Sequence, residues 1–257
     1  YKDYRVTPYC THCETALSFS DIRESDSTRP RQDPEVVVRF KARDDLDGKP
    51  TWLLAWTTTP WTLISNLALA VGPEHAYAVV DHDGAHYILA DSLLAKWARL
   101  FGGRKPRAVR TLSGADLVGR RYEPIFPAFR DLADEGYFRV LPAEFVTLED
   151  GVGVVHCAPA FGEEDYWLCK RHGLGVRNPV DAQGRFTAEA GEFAGRHVLA
   201  ANRDIIRRLK AEGALLHHGT IEHNYPHCWR CREPLIYRAM DAWYFAIDKI
   251  KDRLLAR

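Results

Sequence analysis

Two cysteine pairs, one near each end, constrain this chain more than any other feature. Cys10 and Cys13 are separated by Thr11 and His12, and Cys228 and Cys231 by Trp229 and Arg230. A two-residue spacing turns both sulfurs toward one point, and two such pairs make a tetrahedral four-thiolate set that suits zinc. A metal held by both pairs ties the two ends of the chain together. A domain whose ends meet can be inserted into a larger protein without disturbing it. The expectation is a structural Zn2+ on Cys10, Cys13, Cys228 and Cys231, with His12 or His227 as a substitute for one sulfur. Four protein ligands leave no position for water, so this metal is not expected to be catalytic. A zinc deaminase would show H-x-E and P-C-x-x-C. That pattern is only approximated, because an extra residue parts Pro226 from its cysteine pair and Cys10 would have no role.

Composition narrows the class. The chain has 257 residues, 46% hydrophobic and 27% charged, which is ordinary globular usage and enough for a sizeable core. Lys plus Arg is 35 and Asp plus Glu is 35, so a general nucleic-acid coat is excluded and any RNA contact must be local. Two basic clusters, Arg104-Lys105-Pro106-Arg107 and Arg203 to Lys210, are candidates for it, although a solvated face explains them equally well. Six cysteines in a chain of this length do not make a secreted disulfide scaffold, and Cys157 and Cys169 are expected to be reduced. Neither an apolar run of membrane-spanning length nor a signal peptide is visible, so the expectation is a cytoplasmic protein without membrane contact.

Along the chain, β-type segments dominate. The polar stretch Ser18 to Pro34 reads as a linker or exposed loop. Strands are expected at Glu35 to Phe40 and Thr51 to Thr59, the latter stopped by Pro60. Tyr77 to Val80 and His86 to Leu89 flank Asp81-His82-Asp83-Gly84, a hairpin signal. Further strands are expected at Arg107 to Leu112, Tyr137 to Leu141 and Gly151 to His156. Helices are expected at Asp91 to Leu100, Gly162 to Arg171, Asn202 to Glu212 and Trp243 to Leu255. Many short strands with a few helices predict a mainly β fold, a closed or rolled β-barrel with peripheral helices.

Two segments carry the polar chemistry. In Trp56-Thr57-Thr58-Thr59-Pro60-Trp61-Thr62, three threonines stand at a strand end. Alternation predicts Thr57 and Thr59 on one face and Thr58 on the other. Hydroxyls donate and accept, so they can hold a water, a ribose hydroxyl or an ester carbonyl, but without an adjacent base they are poor nucleophiles. Positioning is therefore expected rather than covalent catalysis; plain β-propensity of threonine is the competing explanation. The second segment runs from Gly151 to Asp165. A strand ending in His156 leads through a Pro/Gly loop to a helix with acids in its first turn, which can bring His156 and Asp165 to one pocket. A core histidine and helix-dipole acids are the simpler explanation. A cysteine protease built on His156-Cys157 fails, because neighbours on a strand point to opposite faces.

Together these segments resemble the editing domain of isoleucyl-tRNA synthetase, a class I aminoacyl-tRNA synthetase. Pro226-His227-Cys228-Trp229-Arg230-Cys231 and the following Pro234-Leu235-Ile236-Tyr237-Arg238-Ala239 are similar to that family too. Valyl and leucyl relatives share the fold but typically carry Thr-Thr-Arg-Pro where this chain has Thr57-Thr58-Thr59-Pro60, which favours the isoleucyl branch. The resemblance implies hydrolysis of valine esterified to tRNA(Ile), presented by the 3′ end of the tRNA. It implies that Asp165 binds the substrate ammonium, that His156 excludes the bulkier isoleucine, and that Thr57, Thr58 and Thr59 line the ester, ribose and water positions. Trp56, Trp61, Thr62, Gly153 and Phe161 are implied on the substrate, Trp61 near the terminal adenosine. Water is the implied nucleophile, assisted by a ribose hydroxyl, with His156 as the alternative general base. Ile64 departs from the family by standing where proline is frequent. The His-Ile-Gly-His and Lys-Met-Ser-Lys-Ser signatures of the aminoacylation site are absent, so the chain is expected to be a monomeric fragment acting with the remainder of a parent synthetase. The implied layout is one inserted domain over 1–257. It comprises a β-barrel body at 35–220, a zinc knuckle at 1–15 plus 222–240, and a returning helix at 241–257. The alternatives are a zinc-stapled tRNA-binding module without catalysis, the editing domain of a valyl or leucyl relative, and a structural insertion that has lost activity.

Overall fold

The computed structural model describes residues 1–24, 27–104 and 106–256. Among them are twelve strands in three sheets. In chain order these are β1 (Lys2–Cys10), β2 (Thr15–Ala16), β3 (Thr28–Lys41), β4 (Thr51–Thr57), β5 (Ala68–Val71), β6 (Ala76–His82), β7 (Ala85–Ala90), β8 (Ala108–Ser113), β9 (Val140–Pro142), β10 (Val154–Cys157), β11 (Leu215–Pro226) and β12 (Ile236–Trp243). The helices are α1 (Phe19–Glu24), α2 (Gly114–Leu117), α3 (Glu163–Arg171), α4 (Val198–Ala211) and α5 (Lys251–Leu255), with 3-10 turns between.

The largest sheet has the order β11-β3-β4-β7-β6-β8, and a smaller one has the order β10-β5-β9. Their apolar faces share one core, in which Val36, Val37, Val38, Leu53, Leu69, Ile88 and Val154 are all buried. Valine, leucine and isoleucine runs at these positions fit strands covered on both faces. The β6–β7 hairpin forms as expected, with Asp83 and Gly84 both at positive φ in its two-residue turn. The third sheet, β12-β1-β2, joins the two ends of the chain as a ribbon in antiparallel register from Lys2↔Trp243 to Tyr9↔Ile236.

A closed barrel is not found among the described residues. β11 and β8 are the two edges of the large sheet and do not pair with each other. The reason lies in β3, whose first half pairs with β11 alone and carries that edge out to the cysteine knuckle instead of round to β8. The same register explains the expected linker at Ser18 to Pro34. Residues 25 and 26 lie outside the described residues; the rest holds α1 and the start of β3. Pro30 and Pro34 are tolerated because β3 meets β4 only from Val36 onward, so one side of the strand needs no donor there.

Two expected helices are smaller than predicted. Asp91 to Leu100 resolves into 3-10 turns at Asp91–Leu93 and Ala98–Phe101. The segment from Trp243 continues β12 and then forms only a short turn and α5. Both remaining helices are present: Glu163–Arg171 and Val198–Ala211. Of the basic clusters, Lys105 lies outside the described residues. The Arg203 to Lys210 cluster is an ion-paired face of α4, where Asp204 and Glu192 meet Arg207 and Arg208 and Glu212 meets Arg208. No helix among the described residues is long and apolar enough to cross a membrane.

Candidate active site

The end of β4, the start of α3 and the residues before and within β10 enclose a cleft of about 400 Å³. β10 pairs with β5 in the small sheet and packs beside β4 of the large one, so the strand ends converge. Each chemical segment read from the sequence meets here. Thr57, Thr58, Thr59 and Thr62 line it together with His156, Phe161, Gly162 and Asp165. Trp56 and Gly153 line it as well. Thr58 was expected on the opposite face, but alternation ends with β4 at Thr57. The chain then turns into a 3-10 helix begun by Pro60, and all three threonines reach the cleft.

The hydroxyls form a chain. Thr59 N–H donates to Thr57 Oγ1 at 3.1 Å, and the two hydroxyl oxygens lie 3.2 Å apart. Thr59 Oγ1 is 3.3 Å from Thr62 Oγ1, which donates to Thr59 O at 2.8 Å. Since Thr62 Oγ1 has one proton and spends it there, it accepts from His156, whose Nε2 is 2.9 Å away. That assigns the Nε2–H tautomer. Burial pushes the His156 pKa down to about 4, so the ring is neutral at physiological pH. A neutral ring engaged through its N–H is a shaped wall, and its other nitrogen is buried without a partner among the described residues.

Asp165 arises in the first turn of α3 and folds back, so that its Oδ2 accepts from Ala158 N–H at 2.9 Å. Gly162 permits this, because a Cβ there would stand 2.4 Å from Asp165 Oδ2. Burial raises the Asp165 pKa to about 6; the Ala158 N–H opposes the rise and the nearby Glu164 adds to it. An ionised carboxylate short of solvent and of counter-charge favours a cationic ligand. Ile64 lies buried inside the Pro60–Ser65 turn and takes no part in the cleft.

Trp61 sits behind the wall rather than on it. It is only 3% exposed and packs edge-on against Phe161, with ring centroids 4.6 Å apart. Its backbone N–H donates to Asn202 Oδ1 of α4 at 3.0 Å, which anchors the threonine turn to that helix. Phe145, Thr147 and Asp150 also line the cleft. No motif marked them in the sequence; the sole hint was the adjacency of Asp150 to Gly151.

At the far end of the β3–β11 ribbon, the sulfurs of Cys10, Cys13, Cys228 and Cys231 all lie within 4.8 Å of one another. Tetrahedral zinc with bonds of about 2.3 Å requires sulfurs ~3.8 Å apart, and Cys10 Sγ and Cys231 Sγ are separated by 3.4 Å. Cys13 N–H donates to Cys10 Sγ at 3.3 Å, as knuckle amides do toward thiolates. These four cysteines can hold a metal ion. His12 and His227 are outside the set, and His227 Nδ1 instead lies 2.9 Å from Tyr225 O.

No family model matches the chain. Curated proteins do. The isoleucine–tRNA ligase of Mycobacterium leprae is 45% identical over 266 residues, covering 99% of this chain and 25% of that protein. That of Treponema denticola is 43% identical over 282 residues, covering 99% and 26%. That of Chlamydia muridarum is 44% identical over 258 residues, covering 99% and 24%. The chain thus spans about a quarter of the length of these relatives. Among solved structures, GlLeuRS-CP1 matches with a TM-score of 0.56 at 14% identity, covering 72% of this chain and 99% of that one. The P. knowlesi cytosolic leucyl-tRNA synthetase editing domain matches at 0.52 and 11%, covering 74% and 97%. At those identities the likeness speaks for the fold alone.

Proposed function

The chain belongs to the isoleucine–tRNA ligase family, and we propose that this segment is the hydrolytic editing unit, releasing valine from mischarged tRNA(Ile). The observation that carries the reading is the cleft itself, lined by both a chain of threonine hydroxyls and the Asp165 carboxylate. Asp165 binds the α-ammonium of the aminoacyl ester. Thr57, Thr58 and Thr59 orient the ester, the terminal ribose and the attacking water. A ribose hydroxyl of the substrate assists that water, since a pKa of about 4 makes His156 a weak base and its Nε2 is engaged with Thr62. His156, locked by Thr62, limits the depth of the side-chain pocket, so that valine enters and isoleucine does not. One methylene separates the two by only about 1–3 kcal/mol at a binding site, and this enzyme family is itself the standard case of double-sieve editing. Phe161, Gly153 and Trp56 shape the remaining wall, and Trp61 supports it from behind.

Zn2+ fits the four thiolates of Cys10, Cys13, Cys228 and Cys231 and would close the knuckle that joins the chain ends. A body at 35–220, that knuckle at 1–15 plus 222–240, and the exit segment at 241–257 then form one inserted unit, working in the cytoplasm as part of a monomeric synthetase. The rest of the enzyme holds the body of the tRNA. A valyl or leucyl assignment is set aside because the close relatives are isoleucine–tRNA ligases.

The test is deacylation of valyl-tRNA(Ile) and isoleucyl-tRNA(Ile) by the chain, beside an Asp165→Ala control. Faster loss of the valyl ester, abolished by the substitution, is expected. Binding of tRNA with neither ester cleaved would replace the reading with a zinc-stapled tRNA-binding module.

A further inference from the structure

Trp56 forms part of the cleft, and its indole is held from behind by a closed circuit of contacts. Its Nε1–H donates to Glu35 Oε2 at 3.0 Å. Glu35 Oε1 lies 3.4 Å from His217 Nε2 and 4.0 Å from an Arg99 guanidinium nitrogen. The His217 ring meets Trp97 edge-on, with centroids 5.5 Å apart. Trp97 Nε1–H donates to Gly151 O at 2.6 Å. Gly151, at φ 73°, returns to the start of the circuit, for a Cβ on it would sit 3.5 Å from Trp56 Cε3.

Strand order makes the circuit possible. Val37 of β3 is paired with Trp56 of β4 on one side and with His217 of β11 on the other. Glu35, two residues earlier on β3, shares the face of Val37. Room for the Glu35–His217 contact comes from Gly219, the register partner of Glu35, where a Cβ would stand 2.7 Å from Glu35 Oε1 and 3.0 Å from His217 Nε2. Both side chains are about four-fifths buried, at 20% and 18% exposed. A mostly buried carboxylate carries a desolvation cost, and its indole donor is a wall of the candidate site.

We propose that Glu35, backed by His217, is a positioning residue that fixes the Trp56 indole as a wall of the cleft and so sets how tightly the aminoacyl end of the tRNA is held. The inference rests on the editing reading above. Glu35 does not line the cleft and acts only through Trp56. An indole free to turn about its side-chain torsions would present several walls, and the hydrogen bond leaves one.

The experiment is a double-substitution cycle on valyl-tRNA(Ile) deacylation, with wild type, Glu35→Ala, Trp56→Phe and the pair. Glu35→Ala is expected to raise KM about tenfold with kcat little changed, the loss of one charge-assisted hydrogen bond. Glu35→Gln restores most of it, because the amide oxygen accepts from the same indole. In the Trp56→Phe background, Glu35→Ala has no further effect, since the group it acts on is gone. An equal loss in both backgrounds would overturn the proposal. Should the alanine variant not fold, Glu35→Met fills the same volume without an acceptor and replaces it. Independently, the Trp56 indole N–H resonance, assigned with Trp56→Phe, should move furthest in Glu35→Ala and clearly less in Glu35→Gln; an unmoved resonance in Glu35→Ala also overturns it. If wild type cleaves neither ester, the editing reading falls, and the resonance alone decides whether Glu35 holds Trp56.

Discussion

Asp165 meets two opposed demands. The proposed ammonium contact requires it ionised, while its surroundings push its pKa from 3.8 up to about 6. A carboxyl with a folded-state pKa above its unfolded value takes up a proton on folding. Its contribution therefore weakens as pH rises from about 4 through about 6. At pH 7.5 the ionised group costs on the order of 2 kcal/mol, scaled down for the partial exposure of the side chain. Asp165→Asn keeps an acceptor for Ala158 N–H and removes that cost. It should raise Tm by roughly 4–8 °C at pH 7.5, with the gain fading toward pH 4, while deacylation is lost. Thermal melts at both pH values beside kinetics check this. Wild-type kcat/KM should fall as pH drops through about 6, because a neutral carboxyl gives up its attraction for the ammonium. His156 behaves in the reverse sense. Its pKa is depressed, so stability is lost as pH falls from 6.5 through about 4. His156→Ala should deepen the pocket and raise isoleucyl ester release at least about tenfold, measured as the ratio of the two esters.

Among the elements, the short loop between β10 and α3 does the most. It must end a strand at Cys157, offer Ala158 N–H, and start a helix whose third residue returns to that amide. Gly162 is at φ −119°, so alanine there is unstrained, yet its Cβ would meet the Asp165 carboxylate. Gly162→Ala should therefore cut deacylation by about tenfold or more while Tm shifts by only a few degrees, a split that kinetics and a melt resolve. The loop was legible because its glycines, proline and acids follow ordinary strand-exit and helix-start chemistry. Two other elements were not. Asp91 to Leu100 has helical spacing, but Trp97 is pulled into the core to bond Gly151 O, and the segment breaks into 3-10 turns on either side. The Trp243 segment has an apolar pattern, but among the described residues it meets only the β1 end, where Tyr244 stacks on Tyr1. Trp243 and Phe245 stay 79% and 87% exposed and the helix shrinks to α5, since short helices persist mainly through packing.

For the whole molecule, the cysteine knuckle sits where β1 and the loop after β11 meet, at the opposite end of the β3–β11 ribbon from the join with β4. One zinc per chain is expected by elemental analysis. Stripping it, or Cys228→Ser, should lower Tm by several degrees and leave deacylation at 20 °C within about twofold, because no reacting group touches the metal. Both cysteine pairs were readable from spacing, as were the β6–β7 hairpin, the threonine turn and the His156-to-Asp165 segment. Each is a local pattern, in which residues a few positions apart fix their own geometry. What lay beyond the sequence depended on partners far along the chain. Whether the sheet closes rests on which edges meet, and β3 takes its edge partner outward instead. Thr58 joins the cleft because β4 stops at Thr57, two residues early, and Trp61 leaves it because Asn202 of α4 holds its backbone. The Glu35–Trp56–His217 circuit exists only once three strands lie in one register. Spacing determines what a short segment presents; tertiary register decides what it faces, because a side chain's neighbours across a sheet are set by pairing and not by proximity along the chain.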